Sequence, residues 1–459
     1  MSKSNIRFVC QNCGADYPKW MGRCSGCGEW NTLVEERASR PAANKNSWAG
    51  VSPGRKPIPI TDVASSAEER FTTGIAELDR VLGGGVVVGS LGLLGGEPGV
   101  GKSTLLMQVA ANTAAAHGPV LYVSGEESLS QLKLRAQRLK LLTEQLIVLA
   151  ESDVETIGEH LQSLQPKLAI IDSIQTMHLP ELDSAPGSVG QVREAAAYFL
   201  RVAKGLGISI ILVGHVTKGG ALAGPKVLEH AVDYVLYFEG GHDQSIRLIR
   251  GVKNRFGSTN EVGVFTMTSR GLTQVDNPSG IFLEERPVNC SGSVVVPCLE
   301  GTRPFLVEIQ SLVAPTPFSG TPRRQATGVD YQRFSIILAV LEKRQGYHLQ
   351  TQDVFVNVAG GFRLTEPGVD LGIACAIASS YRNLIIPSDL AVIGEVGLSG
   401  EIRVVSHLDL RLKELSKLGF TRAVVPHGSE RVSTNLEVTR VKTVSEALQS
   451  IFSESARGG

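Results

Sequence analysis

Four groups of residues combine type and spacing in ways that imply chemistry. The first is Gly96-Glu97-Pro98-Gly99-Val100-Gly101-Lys102-Ser103-Thr104, which contains G-x-x-x-x-G-K-[ST] from Gly96 to Ser103. Glycines let such a loop curl until its N–H groups face phosphate oxygens. A helix after the loop adds the positive end of its dipole. Lys102 then meets the β- and γ-phosphates as a point charge, and Ser103 offers a hydroxyl to Mg²⁺. The expected ligand is a nucleoside triphosphate.

The second group is Cys10-x-x-Cys13 and Cys24-x-x-Cys27, ten residues apart, with Gly14 and Gly28 after each pair. Two such knuckles offer four thiolates to one tetrahedral Zn²⁺ at about 2.3 Å. A disulfide or redox pair is the alternative. So short a module cannot hold a core unaided, and its folding should need the metal. Trp20 and Trp30 are expected to cover the site. The third group is Glu126, Asp172 and His215, each closing an apolar run. Asp172 suits Mg²⁺, directly or through water. Glu126 suits polarising a water, with Glu127 as the alternative base. His215 suits reporting the γ-phosphate, or a structural role. The fourth group is Lys253 and Arg255, at a turn that should expose both for phosphate charge, on DNA or on a neighbouring subunit's nucleotide. Lys218 and Lys226 are basic positions on a Gly/Pro-rich loop and are further candidate DNA contacts.

These groups need a particular frame. Leu91–Leu94, Pro119–Val123, Lys167–Ile171 and Ile208–Val213 read as buried strands, and Thr73–Leu82 and Gln191–Gly205 as helices. Alternating strands and helices predict a parallel sheet with ligands at the strands' carboxyl ends. The segments 175–190 and 217–226 read as mobile loops. Residues 286–459 read as an α+β domain, with a hairpin over Ala391–Val405 and a helix over Gly368–Tyr381. The expected domains are a zinc module at 1–34, a linker at 35–57, an α/β nucleotide-binding domain at 58–285 and the second domain at 286–459.

The bulk numbers narrow the classes. With 459 residues, two or three domains are expected. Formal net charge is zero, so any surface for a polyanion must be local. No run of eighteen apolar residues predicts a membrane span. Met1–Asn5 precede no apolar signal segment, and paired cysteines favour metal in a reducing compartment, so a cytoplasmic location is expected.

The cysteine module, Gly95–Thr104 and Lys253-Asn254-Arg255-Phe256-Gly257 together resemble the bacterial RadA (Sms) family over essentially the whole chain. The resemblance implies a RecA-like ATPase core and a hexameric ring related to DnaB-type helicases. It implies ATP as substrate and a role in recombinational DNA repair, migrating branched intermediates after RecA-type strand exchange. The implied partners are single-stranded and branched DNA, a RecA-type recombinase, and replication and repair proteins. By position, Glu126 matches the catalytic glutamate, Asp172 the Walker B aspartate, and Lys253 and Arg255 the family signature. A KaiC-like regulatory ATPase acting through protein partners is the alternative. The second domain resembles the Lon protease domain through Glu366–Gly372 and Gly394–Ile402. There Asp370 falls at the serine position and Asp409 near the lysine, so no alkoxide can be generated and no proteolysis is expected. Arg323, Arg324, Lys343 and Arg344 are weak candidates for a DNA surface. Cys290, Cys298 and Cys375 are expected as buried small hydrophobes.

Overall fold

The computed structural model describes residues 6–10, 14–37, 59, 61, 68–215, 225–240, 246–284, 286–287, 289–317, 320–361 and 363–455. It divides into two compact units, Met1–Val275 and Asp276–Gly459. At the N-terminus, β1 (Ile6–Cys10) pairs antiparallel with β2 (Asp16–Tyr17) and β3 (Leu33–Arg37). Their small core is Cys10, Cys24 and Leu33, with Phe8, Ala15, Tyr17 and Cys27 against it.

The nucleotide-binding frame begins with the short pair β4 (Arg70–Phe71) and β5 (Val86–Val87), which brackets α1 (Ala76–Leu82). The helix expected from Thr73 starts only at Ala76. Gly74 has φ +74 and the Thr73 N–H donates to Asp79 Oδ1 at 2.8 Å, so a turn replaces the first helical residues.

Nine strands then form one sheet: β6 (Leu91–Gly96), β7 (Val120–Ser124), β8 (Leu146–Ala150), β9 (Leu168–Asp172), β10 (Ser209–His215), β11 (Tyr234–Glu239), β12 (Ile246–Asn254), β13 (Val262–Thr268) and β14 (Gly271–Gln274). Their order is β14-β13-β12-β11-β6-β10-β9-β7-β8. The strands from β11 to β8 run parallel, and β12 to β14 complete one edge antiparallel. Every residue of β6, β7 and β9 is buried, as unbroken apolar runs in a sheet covered on both faces require. Alternate side chains feed two cores. Leu94, Tyr122, Ile170 and Val213 pack on one face, and Leu93, Val123, Ile171 and Leu212 on the other. The connecting helices are α2 (Lys102–His117), α3 (Leu129–Leu139), α4 (Val154–Leu164), α5 (Val189–Leu206) and α6 (Pro225–Ala231). Among the described residues no helix is long and apolar enough to cross a membrane.

The second unit opens with α7 (Pro278–Leu283). Its sheet contains β15 (Ser293–Glu300), β16 (Arg303–Pro315), β17 (Arg324–Thr327), β18 (Gln352–Val358), β19 (Leu390–Val392), β22 (Arg422–Pro426) and β23 (Glu437–Val441), with β20 (Glu395–Val396) and β21 (Ile402–Arg403) as a separate pair. The expected hairpin over Ala391–Val405 is therefore only its inner part. Leu390–Val392 instead joins β15 and β22, because its three apolar residues are buried between them. The helices are α8 (Tyr331–Gln345), α9 (Asp370–Arg382), α10 (Leu408–Lys417) and α11 (Val444–Ser455).

The charged residues of the Lon-like motifs are engaged in holding this unit together. Arg411 is fully buried. It donates to Glu366 Oε1 at 2.8 Å and Oε2 at 2.5 Å, and to the carbonyls of Pro297 and Ser406 at 2.6 and 3.1 Å. Asp370 is buried and accepts a bidentate pair from Arg333, plus the Val396 N–H at 3.2 Å. Asp409 is half-exposed and faces Lys413 at 3.8 Å. Cys298 and Cys375 are buried, but Cys290 is half-exposed, since its segment runs along the surface rather than in a strand. Arg324 bonds the Leu349 carbonyl at 2.8 Å, which leaves it less free for a polyanion than the sequence suggests.

Breaking a buried ion pair from one side leaves an uncompensated charge, which costs about 3–5 kcal/mol. Arg411→Ala should therefore lower the unfolding free energy of the second unit by about 3–5 kcal/mol, read as a lower denaturant midpoint at unchanged slope. Replacing Arg411 and Glu366 together by apolar residues should cost much less. An Arg411→Ala midpoint equal to wild type would contradict this assignment.

Candidate nucleotide site and metal centre

The parallel register sets the site. Gly96 ends β6 opposite His215 of β10, and Ser124 of β7 lies opposite Asp172 of β9. Four strand ends thus meet at one edge and enclose a cleft of about 330 Å³. It is lined by Pro98, Gly99, Gly101, Lys102, Ser103 and Thr104 of the loop, and by Glu126, Glu127, Arg135, Asp172 and His215. Glu97 is an exposed loop residue, and Val100 is buried beneath it. Gly101 caps α2 with φ +116, and a Cβ there would come within 2.7 Å of Met267 Cε.

Lys102 is buried, and its Nζ donates to the carbonyls of Gly96 at 2.7 Å and Glu97 at 2.9 Å. Burial pushes its ammonium down to about 8, against the pull of Asp172, Glu126 and Glu97. Asp172 is also buried, and its Oδ2 accepts the Tyr122 hydroxyl at 2.6 Å. Burial and that carboxylate hold the Tyr122 phenol well above its ordinary range. Ser103 and Asp172 line one cleft and are the residues that would hold Mg²⁺.

The two adjacent glutamates have different partners. Glu127 Oε1 accepts Arg135 Nη2 at 2.6 Å. Glu126 Oε1 accepts the Ser173 hydroxyl at 2.6 Å and faces His215 Nε2 at 3.2 Å. This requires the β7 and β9 loops to approach closely. A Cβ on Gly125 would lie 2.1 Å from Thr176 Oγ1, so only glycine fits. Arg247 supports the phosphate loop from behind, its Nε donating to the Val100 carbonyl at 3.3 Å. Tyr122, Arg135, Ser173 and Arg247 were not visible as site residues in the sequence. The lone tyrosine within the apolar run of β7 was the one available signal.

The signature cations lie elsewhere. Antiparallel pairing puts Leu248 of β12 opposite Glu239, but Asn254 opposite Tyr234, which is level with Gly92. Lys253 and Arg255 are thus about four residues back from the phosphate loop, roughly 13 Å along the strands. Arg255 is exposed, with Nη1 3.4 Å from Asp233 Oδ1. Lys253 is half-exposed, but its ammonium is not free as expected. Its Nζ donates to the carbonyls of Glu229, His230 and Val232 at 2.6, 3.3 and 2.7 Å, because the end of α6 leaves carbonyls without helical partners. Lys218 lies outside the described residues, and Lys226 is on α6. The 175–190 segment is pinned rather than loose. The Gln191 amide accepts the Leu179 N–H at 2.8 Å and donates to the carbonyls of Leu182 and Ser184 at 3.2 and 2.9 Å.

In the N-terminal module the sulfurs of Cys10, Cys24 and Cys27 lie within 4.8 Å of one another, with Cys10 and Cys27 at 3.7 Å. Cys13 lies outside the described residues. Gly14 and Gly28 return their N–H groups to the carbonyls of Cys10 and Cys24 at 2.8 Å each, with φ +72 and +79. Three converging thiols on glycine-closed turns fit Zn²⁺. Trp20 and Trp30 do not cover the site. They are 55% and 67% exposed, because Leu33, Phe8 and Tyr17 occupy the inner face. Chelation should abolish the near-ultraviolet circular dichroism of this module while leaving the melting of the nucleotide-binding core unchanged, since the metal supplies its folding energy. A module that keeps its signal after complete zinc loss would contradict this.

Three family models match the chain. One described as an AAA domain covers residues 57–221, one described as a rubredoxin metal binding domain covers 8–35, and one described as subunit ChlI of Mg-chelatase covers 324–429. Together with the described elements they establish an N-terminal zinc ribbon, a RecA-like P-loop core and a ChlI-like C-terminal region. A KaiC-like protein of Pyrococcus horikoshii is similar over 45% of this chain and 99% of its own, at 20% identity and a TM-score of 0.39. The DNA repair protein RadA of Halalkalibacterium halodurans is 54% identical over 98% of this chain and 99% of its own length. That of Bacillus subtilis is 52% identical over 98% and 99%, and that of Pseudomonas aeruginosa 49% identical over 98% and 100%. With half its residues shared along nearly its whole length, this chain belongs to the RadA family.

Proposed function

We propose that this protein is a DNA-dependent ATPase of recombinational DNA repair. It works as a ring, a homo-hexamer, moving along single-stranded DNA to migrate branched intermediates beside a RecA-type recombinase in the cytoplasm. The observation that carries the reading is the cleft itself, where a phosphate loop, a buried lysine, a strand-end aspartate and a tethered glutamate meet. The loop N–H groups and Lys102 bind the triphosphate of ATP. Ser103 and Asp172 would hold Mg²⁺, which would supply neutralisation of phosphate charge. Glu126 rather than Glu127 is the general base, because Arg135 occupies Glu127. His215 reads the γ-phosphate from its place beside the base.

Arg255 sits too far along the sheet to serve its own phosphate loop, which supports action on a neighbouring subunit's nucleotide. For Lys253 to act likewise it must leave three carbonyls. The second unit is a scaffold without protease activity. At the serine position Asp370 is occupied by Arg333, and Asp409 is a surface carboxylate. A KaiC-like regulatory ATPase would share the cleft but not the DNA dependence.

Turnover should rise with single-stranded DNA, and affinity for that DNA should fall steeply with salt, as phosphate contacts demand. Lys102→Ala should abolish turnover. Wild-type rates in that variant, or a flat salt response, would remove the proposal. Nucleotide affinity should also carry the Lys102 proton. The triphosphate favours the charged ammonium, so affinity is full below about 8 and declines above it, by up to about tenfold per pH unit. Lys102→Arg, always charged, should flatten that decline.

A further inference from the structure

Glu126 must be aimed before it can act as a base, and nothing in its own side chain does that. It is 46% exposed, and a glutamate keeps three rotatable bonds. Two donors converge on a single one of its oxygens. Ser173 Oγ donates to Oε1 at 2.6 Å and His215 Nε2 lies 3.2 Å from the same atom. Among the described residues Oε2 has no partner.

Ser173 itself is held firmly. It is fully buried and directly follows Asp172, which is in register with Ser124 of β7. Its carbonyl accepts the Thr176 hydroxyl at 2.8 Å, and the next residue, Ile174, donates its N–H to Val213 at 2.9 Å. Ser124 Oγ accepts the N–H groups of Glu126 and Glu127 at 3.3 and 2.9 Å, which fixes the other side of the contact. Both ends of the Ser173–Glu126 bond are therefore anchored by backbone.

We propose that Ser173 is the positioning residue of Glu126. Its hydroxyl pins Oε1, turning Oε2 toward the attacking water, and it keeps the carboxylate off Lys102 while the cleft is empty. When His215 turns to the γ-phosphate, Ser173 becomes the remaining hold on the base. In the step it serves, a water oxygen bonds to the γ-phosphorus, the bond to the bridging oxygen breaks, and the nucleoside diphosphate leaves. The water's proton goes to Glu126 Oε2, and the Ser173 hydroxyl keeps its own. This deepens, and rests on, the reading of the cleft as an ATP-hydrolysing site.

The test uses the full-length zinc-loaded chain with ATP, Mg²⁺ and single-stranded DNA. Ser173→Ala removes one oxygen and adds no volume. It should lower kcat between about tenfold and a hundredfold, with KM and the Kd for a fluorescent ATP analogue within about twofold of wild type. Ser173→Thr, which keeps the hydroxyl, should recover most of the rate. Glu126→Asp is too short to reach Ser173 Oγ, so adding Ser173→Ala to it should cause no further loss. A wild-type kcat in Ser173→Ala, a loss shared equally by Kd, or additive losses in the double variant would overturn the proposal. A wild-type chain that hydrolyses nothing, or a fully active Glu126→Gln, would instead overturn the hydrolytic reading beneath it.

Discussion

Parallel strands that end together impose the constraint on which the site depends. In such a sheet every carboxyl end lies along one edge, so residues far apart in the chain arrive side by side. Gly96 meets His215, and Ser124 meets Asp172, through main-chain register alone. Because both faces are packed, the register cannot slip without moving Leu93 and Leu94, or Ile170 and Ile171, into the wrong cores. The rigidity of the cleft is inherited from that packing.

The cleft is electrostatically unfinished by itself. Lys102 is buried among backbone carbonyls and carboxylates that only partly offset the loss of water around its charge. A triphosphate completes the balance. The acidic groups are meanwhile kept apart by dedicated donors: Tyr122 on Asp172, Arg135 on Glu127, Ser173 on Glu126. The three neighbouring acids thus differ in their partners, which the acids themselves do not determine.

The second unit shows the same physical chemistry. Buried Arg411 pairs with Glu366 and buried Asp370 with Arg333, each through several hydrogen bonds. Arg333 and Asp370 join α8 to α9 and to β20, and Arg411 joins α10 to Glu366 and to Pro297 of β15.

What could be read from the sequence was whatever is local. The phosphate loop and the cysteine knuckles are built from contiguous residues, and their glycines announce the turns. The strands declared themselves as apolar runs, and Glu126, Asp172 and His215 as polar residues closing them. The tertiary structure alone decided which partner each glutamate meets, Ser173 for Glu126 and Arg135 for Glu127, and that the Lys253 ammonium bonds three carbonyls. It also decided that Trp20 and Trp30 face outward, and that Tyr122 and Ser173 belong to the site. The reason is separation along the chain. The Tyr122–Asp172 bond joins residues 50 apart, and Ser173–Glu126 residues 47 apart. Strand order brings them together, and no local periodicity encodes which strands become neighbours.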